Sequence, residues 1–76
     1  MADLTPEACK AARALLRWSM SDLAEAAGVS LPTIQRTEKD GRSYPSTQVK
    51  LIATFRAHGV DVLGPPADGA RRIPRA

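Results

Sequence analysis

Residues 20–39, MSDLAEAAGVSLPTIQRTEK, decide how this chain is read. Leu23, Ala24 and Ala27 place apolar side chains at i, i+1 and i+4, one face of a short helix. Gly28 stands where the chain takes the left-handed conformation that ends such a helix. Ser30 then presents a hydroxyl oxygen that can accept from the backbone N–H of Thr33, so a second helix starts there. Pro32 in its first turn loses nothing, because N–H groups at that position have no intrahelical partner.

Two helices crossing at about 90–120° over a turn of three or four residues form a helix-turn-helix. The crossing needs a small side chain, supplied by Ala24, and a turn residue tolerant of positive φ, supplied by Gly28. Val29 and Ile34 fill the wedge between the helices. The combination of Ala24, Gly28, Val29-Ser30 and Ile34 is specific where any two of them are not. With these residues, and most sharply in LAEAAGVSLPTIQRTE, the chain resembles the Cro/Xre-type family of bacterial and phage transcriptional regulators over about residues 9–56. The resemblance implies an all-α domain of four or five helices, a second motif helix that enters the DNA major groove, and no enzyme activity. Three positions differ from the family's habit. Met20 stands where a Gln often touches phosphate, Leu31 and Pro32 occupy early positions of the recognition helix that are often polar, and Thr37 replaces an apolar core residue.

Working outward, Thr5 caps a first helix, Pro6 suits its first position and Glu7 places negative charge in its first turn. Cys9, Ala12, Leu15 and Leu16 give that helix an apolar face, which Trp18 closes. Ser19 with Asp22 forms a capping box for the next helix, and the one after it runs from about Leu31 to Lys39. Asp40 to Pro45 break helicity. Ser46 caps a fourth helix whose buried side is Val49, Ile52, Ala53 and Phe55, and Gly59 ends it with Val60 packing back. Beyond Gly59 the period shifts toward two. Val60–Leu63 reads as a strand, Gly64–Gly69 as a turn and Ala70–Ile73 as a return strand, with a flexible basic tail as the alternative. The expected fold is therefore all-α, a compact four-helix Cro/Xre-like helix-turn-helix domain ending in a short β-hairpin or a flexible tail. The helix-turn-helix domain is expected to span residues 1–64, with residues 65–76 as a turn and basic tail or the return strand of a hairpin.

A chain of 76 residues, 43% apolar, has room for one small core of modest stability, which a partner subunit would reinforce. The lone Cys9 rules out a disulfide framework or a cysteine-rich zinc site and points to a reducing cytoplasm. No apolar run approaches the roughly 18 residues of a membrane span, and MADLTPEACK lacks the pattern of a signal peptide. Catalytic ingredients are missing. One His, one Cys, no glycine-rich phosphate loop and no Ser with an evident base leave nothing for a reaction to use, and no cofactor or metal is expected. Asp22 and Glu25 share a face, but nothing catalytic converges on them.

Charge is distributed unevenly along the chain, whose net charge is +3. Residues 1–28 hold three basic and four acidic side chains, residues 29–59 hold five and two, and the remainder holds three and two. The basic excess thus lies on and after the third helix, as an electrostatic docking face for DNA requires. On that helix Thr33, Gln35, Arg36 and Lys39 are expected to point away from Ile34. Arg36 suits guanine and Gln35 suits adenine in the major groove. Ser30 and Thr33 at the helix N-terminus suit phosphate, Arg42 and Tyr44 can hold the flanking backbone, and Leu31 can touch a thymine methyl. Glu38 is expected to be an intrahelical partner or a core-facing salt-bridge member, Cys9 a small core residue, and His58 a cation at a helix C-terminus.

The expected function is sequence-specific binding of double-stranded DNA by a small Cro-like repressor. A homodimer is expected, because two recognition helices about 34 Å apart gain specificity that one lacks. The alternative is an antiactivator that keeps the fold but binds and blocks another transcription factor. Met20, Leu31 and Pro32, as exposed apolar residues near the DNA-facing surface, would then supply the contacts.

Overall fold

The computed structural model describes residues 4–41, 44–63 and 69–74. Four helices, α1 (Pro6–Leu16), α2 (Met20–Ala27), α3 (Leu31–Asp40) and α4 (Pro45–Ala57), precede an antiparallel hairpin of β1 (Val60–Leu63) and β2 (Gly69–Arg72). None of these helices is long and apolar enough to cross a membrane.

Local chemistry explains most of the helix ends. Thr5 Oγ1 accepts from the Ala8 N–H at 3.1 Å, with Pro6 in the first turn of α1. Arg17 then leaves α1 at φ 57°, a left-handed conformation that is costly for a residue with a Cβ. Ser19 and Asp22 form the full capping box of α2: the Asp22 N–H donates to Ser19 Oγ at 3.0 Å and the Ser19 N–H to Asp22 Oδ2 at 2.8 Å. Gly28, at φ 70°, ends α2 by donating to the Ala24 and Glu25 carbonyls. A Cβ at Gly28 would meet nothing within 4 Å, so its backbone conformation, not space, asks for glycine there. Ser30 caps α3, which runs one residue further than its sequence suggested before Gly41 stops it at φ 69°.

The start of α4 departs from expectation. Its cap is Tyr44, with no side-chain hydrogen bond, and Pro45 takes the first turn, so Ser46 lies inside the helix and does not cap it. Its buried side differs too. Leu51 and Phe55 are fully buried, Ile52 is half-buried, and Val49 and Ala53, expected inside, face solvent, Val49 with 66% of its surface exposed. Apolar residues surround this helix, so their spacing does not define one stripe, and the site left open by α2 and β1 selects Leu51 and Phe55.

The core joins Leu4, Ala8, Cys9 and Ala12 to Leu23, Ala24, Ile34, Leu51, Phe55, Val60 and Val62. Half-buried Leu15, Leu16, Trp18, Met20, Val29 and Ala70 pack around it. Trp18 lies 6.3 Å from Phe55 and meets the His58 ring edge-on at 4.7 Å, while His58 Nδ1 is 2.9 Å from the Thr54 carbonyl oxygen. In the hairpin Val60 faces Arg72, Asp61 faces Arg71, Val62 faces Ala70 and Leu63 faces Gly69. Both strands pack against α1. Arg72 Nη2 donates to the Leu15 carbonyl at 2.8 Å, satisfying an acceptor in the last turn of α1 that the helix itself leaves open. The return strand therefore belongs to the packed body and starts one residue earlier than its sequence suggested.

Candidate nucleic-acid interface

Helix α3 has two faces with opposite duties. Ile34, Thr37 and Glu38 point inward and are buried, whereas Leu31, Pro32, Gln35, Arg36, Lys39 and Asp40 are exposed. Thr37, an unusual polar residue for the core, gives its hydroxyl to the Thr33 carbonyl at 2.9 Å, so no buried polar group is left unpaired by it.

Glu38 fixes the inner face. Arg13 of α1 donates from Nε to Glu38 Oε2 at 2.6 Å and from Nη2 to Oε1 at 2.7 Å, a two-pronged charge-assisted pair. Its Nη1 donates to the Trp18 carbonyl at 3.0 Å, which ties the same guanidinium to the link between α1 and α2. The Cys9 thiol adds a third donor to the carboxylate, with Sγ 3.3 Å from Oε2. Burial, reinforced by the Glu38 charge and hydrogen bond, pushes that thiol up to about 12, so it stays protonated and unreactive. The hydrogen bond to Glu38 raises the Arg13 pKa against the opposing effect of burial. Sliding α3 along its axis would separate these charges in a half-dry site, a costly step. The helix is thereby held in one position on the scaffold.

Glu38 is the core-facing salt-bridge member that its sequence context allowed. Its partner was not singled out. The signal was present, because Arg13 falls four residues after Cys9 and three before Leu16, a lone charge within the apolar stripe of α1.

The outer face carries the residues expected to meet DNA. Ser30 is exposed at the helix cap, its Oγ accepting from the Thr33 N–H at 3.3 Å and lying 2.7 Å from Thr33 Oγ1. Two hydroxyls sharing one hydrogen bond retain one free O–H, enough for a single phosphate oxygen. Thr33 is half-buried, Leu31 is 36% exposed, and Gln35, Arg36 and Lys39 are exposed on the same helix. Among the described residues the ion pairs are Arg13–Glu38 and Arg71–Asp61, so Arg36 and Lys39 keep their charges uncommitted. Tyr44, 76% exposed, is the cap residue of α4, and Arg42 lies outside the described residues. Asp40 also lies on this outer face. It is exposed at the far end of α3, four residues after Arg36, and places a negative charge there. Met20 also differs from expectation, being half-buried against the core and not freely exposed.

The profile of the helix-turn-helix family matches residues 10–55, from Lys10 in α1 through Phe55 in α4, and leaves the hairpin outside. No curated protein matches the chain.

Proposed function

Since the chain belongs to the Cro/Xre-type helix-turn-helix family of DNA-binding regulators, we propose that it is a small Cro-like repressor that binds operator DNA as a homodimer and occludes polymerase. The family is regulatory and not enzymatic. One observation carries the reading. The inner face of α3 is clamped by Arg13–Glu38 while Gln35, Arg36 and Lys39 on its outer face have no ion pair or side-chain hydrogen bond among the described residues. A rigid helix with unspent donors is what direct readout in a major groove needs. In this reading Gln35 and Arg36 contact base edges, Ser30, Thr33 and Lys39 contact phosphate at either end of the helix, and Arg42 and Tyr44 hold the flanking backbone. A second copy places an equivalent helix about 34 Å away on the next half-site. The protein acts in the cytoplasm, where its DNA target and a reduced Cys9 belong together.

The antiactivator reading draws on exposed Leu31 and Pro32 but loses Met20, which the core holds. Fluorescence anisotropy separates the two. Labelled DNA from the region upstream of the protein's own gene, titrated at two salt concentrations, should bind tightly, outcompete a scrambled duplex and weaken with salt. Equal weak binding to both duplexes would reject operator recognition at that site and favour a protein partner.

A further inference from the structure

The exposed face of α3 changes character along its length. Gln35, Arg36 and Lys39 bring hydrogen-bonding groups, but the first turn presents Leu31 and Pro32, both exposed and neither with a polar side-chain atom. Pro32 lacks a backbone donor as well. The remaining polar side chain of that turn, Thr33, is half-buried with its hydroxyl 2.7 Å from Ser30 Oγ, and no acidic residue lies in this turn to repel DNA.

The N-terminal residues of a recognition helix are the ones that meet base edges. In the major groove, the feature of a base edge that an aliphatic surface recognises is the C5 methyl group, which thymine carries and unmodified cytosine lacks. We infer that Leu31 and Pro32 form an apolar reader of pyrimidine C5 methyl groups, so that the preferred DNA carries thymine opposite the first turn of α3. The inference rests on the DNA-reading function proposed above and adds to it the chemical class of base that sets specificity at this end of the site. At about 1.5 Å rise per residue, Pro32 precedes Arg36 by about 6 Å. The methyl contact therefore falls about one to two base-pair steps from the base that Arg36 reads.

The test uses the full chain and needs no known operator. Duplexes are selected from a random library, and each thymine of the enriched site is then replaced singly by deoxyuridine, which removes the methyl group and nothing else. One or two replacements should weaken binding about fourfold each, the equivalent of one buried methyl. Leu31→Ser with Pro32→Ala, both at exposed positions of the first turn, should bind the thymine and deoxyuridine sites alike. Arg36→Ala should bind more weakly yet keep the preference for thymine. An enriched site that accepts deoxyuridine everywhere, or a thymine preference that persists in Leu31→Ser with Pro32→Ala, overturns the inference and leaves DNA reading intact. Failure to enrich any sequence overturns DNA reading itself, and this inference with it.

Discussion

Between Ser19 and Gly41 the helix ends are closed by residues a few positions away, whereas the hairpin after Gly59 is held largely by residues far from it in sequence. Ser19 pairs with Asp22, Gly28 with Ala24 and Glu25, and Ser30 with Thr33. By contrast, Arg72 reaches back 57 positions to Leu15, and Val60 and Val62 are buried among side chains of α1 and α4. An isolated two-stranded hairpin is marginal in water. The difference teaches that the motif presenting Gln35 and Arg36 is written locally, while the hairpin exists because α1 offers a surface to cover. The family profile divides the chain at a similar place, ending at residue 55.

Truncation after Gly59 is the most forceful way to break this contrast. It removes two buried valines, each contributing about 1.5–3 kcal/mol, a sum comparable with the whole stability of a small domain. The shortened chain should lose its cooperative thermal transition. Retention of a native-like melting curve would show that the hairpin is an appendage.

Glu38→Ala tests the long-range tie between the motif and α1. It strands the Arg13 guanidinium, which is 20% exposed, and should cost about 3 kcal/mol in denaturant unfolding. Replacing both partners together, Arg13→Met with Glu38→Leu, should recover much of that loss, because no unpaired charge remains. DNA affinity of the double variant then reports how much the clamp contributes to positioning α3 apart from stability.

Alkaline pH probes the same junction more gently. The Cys9 thiol sits above its ordinary value of 9.0 in the folded chain, so folding favours the protonated form. That contribution is whole below about pH 9 and is lost as pH rises from there toward about 12. Stability should fall by about 1 kcal/mol more between about pH 8 and pH 10 in the native chain than in Cys9→Ser, whose hydroxyl does not ionise in this range and still reaches Glu38. Parallel pH profiles would place the thiol in a less buried setting.

The smallest effect is a gain. Arg17 adopts a left-handed backbone that glycine takes without penalty, so Arg17→Gly should raise stability by up to about 1 kcal/mol, measured by chemical denaturation. A loss instead would mean that the Arg17 side chain contributes a contact exceeding the strain.

How much was legible follows the same division. Thr5, Ser19, Gly28, Ser30 and the alternation through Val60 and Val62 are local signals, and each marks an element edge or face seen in the fold. At α4 local signals mislead. Ser46 resembles a cap, yet the helix begins at Pro45, and Val49 and Ala53 resemble core residues, yet they face solvent. The role of Arg13 is hidden from local signals for a related reason: the residue that makes its burial tolerable lies 25 positions away, on another helix.

The sequence by itself determined where α1, α2 and α3 begin, that Gly28 ends α2, that α2 and α3 meet across a glycine turn, and which side of α3 carries Gln35, Arg36 and Lys39. Those features depend on backbone hydrogen bonds and apolar spacing within a few residues, which a linear chain displays. Tertiary structure alone decided which stripe of α4 enters the core, that Glu38 clamps α3 to Arg13, and that β2 folds back onto α1 with Arg72 on its last turn. Each of these joins groups distant along the chain, and whether burying them is favourable depends on what other elements bring to the same place.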